Sequence, residues 1–363
     1  MNMHGIAIWA KSSDAGKDLK ADLHINVWKL SEDSRDRHLD IGIMLNGRQG
    51  VQSLFVYVPS QTFSLDDFHD LGSLLLNDET TCAAVFNEHL TVTKTHPGTH
   101  GDIVINGKKS KKRFILYRLD PASKSSVELK SCDHKGSVIE ILLPDDSECR
   151  NDAACCDCWA YVRFRISGEC ICNMFARDEL ANSALQNFSS NVEVFDIRIN
   201  EVRTLDASLI TKMHNHANGN TPLKFSSIQF FFMCKSTEEV VLATKIQTSA
   251  RYLEEGTWDK YKPAPSGGNS IKKNSIIAHQ WKRVDDGSGC SDFTMLVKTR
   301  FEVLHWKKIL IFVFVVIVLG CVGSLLASGI EGCWRNPITI EKSVQSADEI
   351  REKGHETAKG AAD

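Results

Sequence analysis

Residues 309–330 read ILIFVFVVIVLGCVGSLLASGI, and this stretch sets the plan of the whole chain. It holds no charged residue, no Pro, no Asn and no Gln, and fifteen of its residues are Leu, Ile, Phe or Val. A helix rising about 1.5 Å per residue crosses the hydrocarbon of a bilayer in about 20 residues. The β-branched first half would favour strand in water. In lipid, a single segment satisfies its own backbone polar groups only as a helix. Each Leu, Ile, Phe or Val at mid-helix contributes roughly −0.3 to −0.6 kcal/mol, which outweighs the small polar cost of Ser324 and Ser328. The sequence therefore predicts one membrane-crossing helix over 309–330, with a large soluble region before it and a short tail after it.

The flanks give this helix a direction. Lys298, Arg300, His305, Lys307 and Lys308 precede it, whereas Arg335 is the sole Lys or Arg between its end and Lys342. Positive charge stays on the cytoplasmic side, so the N-terminal region is expected in the cytoplasm and the C-terminus outside. Trp306 and Trp334 bracket the span as interfacial anchors, roughly 42 Å apart along a helix, a bilayer with its headgroups. Lys307 and Lys308 belong to the same interface. The N-terminal MNMHGIAIWAKSSDAGK is a poor secretory signal, because its apolar run is short and no basic start precedes it. A polar tail after a late anchor suits a bacterial inner membrane, with the endoplasmic reticulum as the alternative.

The 363 residues are 42% hydrophobic and 25% charged, an ordinary globular composition that leaves room for one large or two smaller soluble domains. A formal net charge of −3 is no signature of a nucleic-acid partner. Ten of the twelve cysteines precede residue 309, in the region placed in the cytoplasm, where thiols stay reduced. Cys321 lies in the span itself, and Cys333 follows it.

Outward from the span, the soluble part reads as strands. HINVWKL (24–30), LDIGIML (39–45), VQSLFVYVP (51–59), RFILYRL (113–119), SVIEILL (137–143), WAYVRFRI (159–166), NVEVFDIRIN (191–200) and SIQFFFMC (227–234) alternate or run apolar over strand lengths, with turn residues between them. Shorter strands are expected at 89–94, 102–105, 170–175 and 239–246. Ser64 with Asp66 and Asp67 reads as the start of a helix whose stripe is Phe68, Leu71, Leu74 and Leu75, ending near Asn77-Asp78. Asp206 to Met213 is a second short helix. The expected organisation is a β-dominant, sandwich-like α+β domain over 1–260, which could divide into two lobes near residue 150. A linker over 261–292 follows, rich in Pro, Gly, Ser and Lys at KPAPSGGNSIKKNS. Then come a basic juxtamembrane segment over 293–308, read as a helix entering the membrane, the span at 309–330 and a polar outward tail at 331–363.

Several groups carry candidate chemistry. Within the span, Gly320, Ser324 and Ser328 recur every four residues, with Gly323 and Ala327 on the neighbouring row. Such a flat face lets helices approach closely, as a homo-oligomer or against another membrane protein. Cys149, Cys155, Cys156 and Cys158, with Cys170 and Cys172 one hairpin later and Cys132 and His134 upstream, offer soft ligands for a tetrahedral Zn²⁺. The usual paired spacing is absent, and ordinary reduced thiols are the plainer reading. Lys108, Lys109, Lys111, Lys112 and Arg113 form GKKSKKR at a hairpin tip, a patch for lipid headgroups, nucleic acid or a nucleotide messenger, or simply a solvated turn. The aromatic residues that interleave with basic ones in single-strand binders are missing there. His96 and His100 in HPGTH, and His214 and His216 in HNH, are pairs able to chelate a metal, though surface histidines are the plainer reading. Asp120 with Glu128-x-Lys130 resembles the carboxylate–lysine sets that surround Mg²⁺ in nucleases, at a spacing that chance also supplies.

No phosphate-binding loop, nucleophile elbow, dinucleotide fingerprint or kinase set is present. The sequence points to a membrane-tethered domain that binds or senses a partner or ligand and self-associates through its helix. Two alternatives are a membrane-perturbing effector of a defence pathway that oligomerises on activation, and a metal-dependent hydrolase or nuclease.

Overall fold

The computed structural model describes residues 5–14, 18–31, 37–47, 50–96, 98–106, 111–132, 136–144, 159–178, 190–264, 276–285, 287–302 and 306–335. In chain order the first strands are β1 (Ala7–Ser12), β2 (Lys20–Lys29), β3 (Arg37–Leu45), β4 (Val51–Val58) and β5 (Phe68–Asp70). Helices α1 (Gly72–Asn77) and α2 (Glu79–Phe86) follow, then β6 (Leu90–His96), β7 (His100–Asn106), β8 (Lys111–Tyr117), β9 (Val127–Cys132), β10 (Gly136–Leu142) and β11 (Trp159–Ile166). Next come α3 (Glu169–Cys172), β12 (Phe175–Asp178), β13 (Ser190–Ile199), α4 (Ala207–Met213), β14 (Asn220–Pro222), β15 (Lys224–Lys235), β16 (Glu239–Ala243) and β17 (Ser249–Tyr252). The last elements are β18 (Ile276–Val284), β19 (Phe293–Glu302) and α5 (Trp306–Arg335).

The strands build three sheets. The largest runs β17-β18-β15-β2-β3-β11-β8-β7-β6, with β5 pairing on β11. A second runs β14-β1-β4-β10-β9, and a third β12-β13-β19-β16. Period-two alternation decides what lies between them. On β2, Leu23, Ile25 and Val27 point to one face, and Phe230 and Phe232 of β15 join them there. They meet Ile8, Leu54, Val56 and Ile139 of the second sheet and Phe195, Ile197 and Met295 of the third in one fully buried core. The fold is thus β-dominant and sandwich-like, as the sequence predicts. Helix α4 covers the outer face of the second sheet, where Leu209 and Met213 pack with Trp9, Phe55 and Tyr57.

The observed elements depart from the sequence reading in four places. Ser64 does close a capping box with Asp67, but it caps only a single turn at 65–67. Phe68 then enters the core as strand, its ring 5.1 Å from that of Phe164, and the helical residues fall into α1 and α2, with Asp78 capping α2 through Thr81 N–H. Cys170–Phe175 is not a hairpin strand: Gly168 sits at φ +87° and starts the turn α3. Within 261–292, Ile276–Val284 is strand β18, paired with β15 along nine residues from Ser227 to Lys235. Phe293–Glu302 is strand β19 and not the start of the membrane helix, because Phe293, Met295, Val297 and Phe301 alternate into the core. Pairing across residue 150 is extensive, β3 with β11 and β2 with β15, so the strands form one unit spanning 1–181 and 190–302. Among the described residues no division into two lobes near residue 150 is seen.

Helix α5 belongs to a separate unit. Over Ile309–Ile330 it is long and apolar enough to cross a membrane, and none of that stretch is buried.

Candidate functional site

The face of the large sheet opposite the shared core carries a second buried apolar cluster, with Trp28, Phe114, Met233 and Tyr261 in it, and beside it polar residues that the strand register orders in rows. In one row, Gly42 of β3 lies between Arg163 of β11 and His24 of β2, and His24 is followed by Gln229 of β15 and Lys282 of β18. The next row reads Arg165, Asp40, Asn26, Phe231, Gln280 and Ser249. A third holds Trp28, Met233, Ala278 and Arg251. All of these residues are even-numbered on β2 and β18 and odd-numbered on β15, the positions that face away from the core.

Over the middle of these rows lies a cleft of about 310 Å³. Its floor includes Asn26, Gln229, Phe231 and Gln280, and Lys282 and Arg251 stand at its rim. Residues 84–88 at the end of α2 form one wall, and Leu253 and Trp258 form another. Asn87 ends α2 in the left-handed region at φ 53°, which carries the chain over the floor.

Behind the floor sits a buried ionic group. Arg165 reaches Asp40 with Nε at 2.6 Å and Nη2 at 3.1 Å, and Trp28 Nε1–H donates to the same carboxylate at 2.8 Å. Burial pushes the Asp40 carboxyl up, but the arginines, Arg165 foremost, reverse this and hold it below its ordinary value. Arg163 is 1% exposed, and its donors go to neutral groups: Nε to Tyr261 Oη at 2.5 Å, Nη1 to Tyr161 Oη at 2.7 Å, and Nη2 to the Asn26 amide oxygen at 2.6 Å. Burial opposes its charge, yet Tyr161, Tyr261 and Asp40 together keep the guanidinium protonated. Two buried guanidiniums thus share one buried carboxylate. A buried charge costs several kcal/mol unless its surroundings compensate it, and here Tyr161, Tyr261, Asn26 and Asp40 supply that compensation.

Gly42 makes this arrangement reachable. A Cβ there would lie 2.1 Å from Tyr161 Oη and 3.0 Å from Arg163 Nη1, so the bare backbone is the passage by which both groups cross β3 toward β2. His24 Nδ1 lies 3.1 Å from Tyr161 Oη. Burial, then the charges of Arg163 and Lys282, push the His24 imidazole down to about 3. His24 is therefore neutral at physiological pH. Lys282 is exposed and forms no ion pair among the described residues, whereas Arg251 lies 3.5 Å from Glu254.

The residues singled out from sequence fall elsewhere. Cys149, Cys155, Cys156, Cys158 and His134 lie outside the described residues. Cys170 and Cys172 are on α3, not on alternate strand positions: Cys170 Sγ donates to Ser167 O at 3.3 Å and Cys172 Sγ to Gly168 O at 3.3 Å. Burial pushes the Cys170 thiol up to about 12, which disfavours the thiolate that zinc requires. Among the described residues no three His, Cys, Asp or Glu side chains are grouped as metal ligands. His96 and His100 face each other across the β6–β7 hairpin with rings 4.3 Å apart, and among the described residues no third His, Cys, Asp or Glu joins them as a metal ligand. His214 ends α4 and His216 opens the next short turn.

Partly exposed Lys130 joins partly exposed Glu128 and buried Glu140 in an ion group on β9 and β10, while the Asp120 carboxylate accepts from Ala122 N–H at 3.0 Å within its own turn. Lys108 and Lys109 lie outside the described residues, and Lys111 and Lys112 open β8. Arg113 Nη2 pairs with Asp102 at 2.7 Å. Gly320, Gly323, Ser324, Ala327 and Ser328 all lie on α5, and an added Cβ at Gly320 or Gly323 would meet nothing within 4 Å. Ser328 Oγ donates to Ser324 O at 3.0 Å within the helix. Trp306, Lys307, Lys308 and Trp334 lie on the same helix, near its two ends.

Sequence reasoning missed the cleft. Its one legible signal was the polar member of each alternation, His24 and Asn26 in HINVWKL and Gln280 and Lys282 in IIAHQWKRV. No protein-family model matches the chain, and no curated protein matches it.

Proposed function

We propose that this chain is a single-pass membrane receptor whose β-rich domain faces the cytoplasm, receives a small ligand in the cleft over Phe231, and self-associates through α5. The observation that carries the reading is the cleft itself: a polar floor with a buried cation behind it, on a sheet whose opposite face holds the core. The anchor half is supported by the exposed apolar length of Ile309–Ile330, and the sidedness by the Lys and Arg that precede the helix. Helix pairing is supported by the open surface at Gly320 and Gly323, which lets another helix come close.

The mass of the detergent-solubilised protein tests the assembly. An oligomer that falls to monomer in Gly320→Leu/Ser324→Leu is the expected result, and a monomeric wild type removes self-association from the reading. Protease added to intact spheroplasts should cleave a tag placed after Asp363. Protection of that tag would reverse the sidedness.

A further inference from the structure

We infer that the cleft takes a nucleoside phosphate; this rests on the reading of the cleft as a ligand site and narrows it to one chemical class. Three features of the floor select that class. Phe231 is partly exposed and lines the cleft as an aromatic side chain. Carboxamides flank that ring on neighbouring strands: Gln229 brings both a donor and an acceptor, Gln280 keeps its NH2 to donate while its Oε1 accepts from Ser249 Oγ at 2.9 Å, and Asn26 is held by Arg163 and Ile25 O. A flat ligand whose edge mixes donors and acceptors, as a nucleobase does, satisfies both features at once, and every base has a face to stack.

The third feature is charge. Lys282 stands at the rim with no ion pair among the described residues, and Arg163 lies behind Asn26 as the second guanidinium sharing a single carboxylate. Among the described residues the acidic side chain lining the cleft is Glu88 on the wall, and Glu254 is engaged by Arg251 and by Trp258 Nε1–H at 2.8 Å. The balance favours an anionic group at the Lys282 end. The volume of about 310 Å³ suits a ligand of mononucleotide size and not a polymer.

The test is calorimetric titration of the full chain in detergent with four nucleoside 5′-monophosphates, and separately with adenosine, ribose 5-phosphate and inorganic phosphate. Saturable binding of at least one nucleotide is expected, at least tenfold tighter than either of its halves, because base and phosphate are held at different places. Lys282→Gln, at an exposed position that does not threaten folding, should weaken it at least fivefold and bring it closer to the affinity of the nucleoside. Phe231→Leu should weaken it at least tenfold. Equal binding of nucleotide and inorganic phosphate, or of nucleotide and ribose 5-phosphate, would overturn the nucleotide assignment and leave the cleft a ligand site for another anion. Nucleotide binding unaffected by either substitution would overturn the assignment by placing the nucleotide elsewhere. No binding by any probe would overturn it and remove the support for the cleft as a receiver of such ligands.

Discussion

The two faces of the large sheet are made by alternate residues of the same strands, yet they are built to different rules. On β2, Leu23, Ile25 and Val27 are wholly buried in a core that three sheets share. Their neighbours His24, Asn26 and Trp28 look the other way: Asn26 and Trp28 line a cleft backed by Arg163, Arg165 and Asp40, and His24 packs against Phe86 and Tyr161. The core face is tolerant, since apolar side chains of similar volume replace one another at modest cost. The cleft face is exacting, since each buried donor has a specific acceptor and losing one strands the other. The sheet is therefore packed on both faces, with a second apolar cluster around Trp28, Met233 and Tyr261, and it keeps its polar cleft on one of them.

The largest expected effect is on the cleft face. Asp40→Ala removes the acceptor of Arg165 and of Trp28 Nε1–H and leaves two buried guanidiniums without a carboxylate. It should destabilise the protein by about 3–5 kcal/mol, read by chemical unfolding of the full chain in detergent. Ile25→Ala on the core face should cost about 2–5 kcal/mol through the cavity it leaves. If Asp40→Ala proved milder than Ile25→Leu, the contrast between the faces would be gone.

Acid sharpens the same contrast. His24 has a folded-state value of about 3 against an ordinary 6.5. Between these values the unfolded chain binds a proton that the folded chain refuses, so stability is full above about pH 6.5 and falls as pH drops toward about 3. His24→Gln should make that acid limb shallower by one proton, measured as unfolding temperature against pH. His69 and His279 shift in the same direction and remain in the variant. Gly42→Ala is next, at about 1–3 kcal/mol, because its Cβ displaces Tyr161 Oη from Arg163 and His24. The smallest expected effect is that of Lys282→Gln, which should leave the unfolding temperature unchanged while ligand affinity falls.

Much of the fold was legible because alternation survives in a short stretch of sequence. HINVWKL, WAYVRFRI and SIQFFFMC became β2, β11 and β15 nearly as read. Phe293, Met295, Val297 and Phe301 alternate just as clearly, but their closeness to the apolar span suggested a helix, and the basic Ser-rich run at 262–275 masked the start of β18. Near Ser64, the apolar residues fit a helical stripe. Pairing of β5 with β11 overrode it, and no local pattern announces such a contact. The cleft was hidden for the same reason. Asn26, Gln229 and Gln280 are neighbours only through a parallel pairing across about 200 residues and an antiparallel one across about 50, and in sequence each looks like a solvent-facing strand position.

The most direct measurement is a tryptophan-fluorescence titration of the full chain in lipid nanodiscs with each of the four nucleoside 5′-monophosphates, run beside thermal unfolding. It compares wild type with Ile25→Val on the core face and Gln229→Leu/Gln280→Leu on the cleft face. Trp28 and Trp258 line the cleft and report on its occupancy. The expected result is that Ile25→Val unfolds at a lower temperature and binds as wild type does, whereas the double variant unfolds with wild type and loses saturable binding. Equal titration curves for wild type and the double variant, or loss of binding in Ile25→Val, would contradict the division of labour between the two faces.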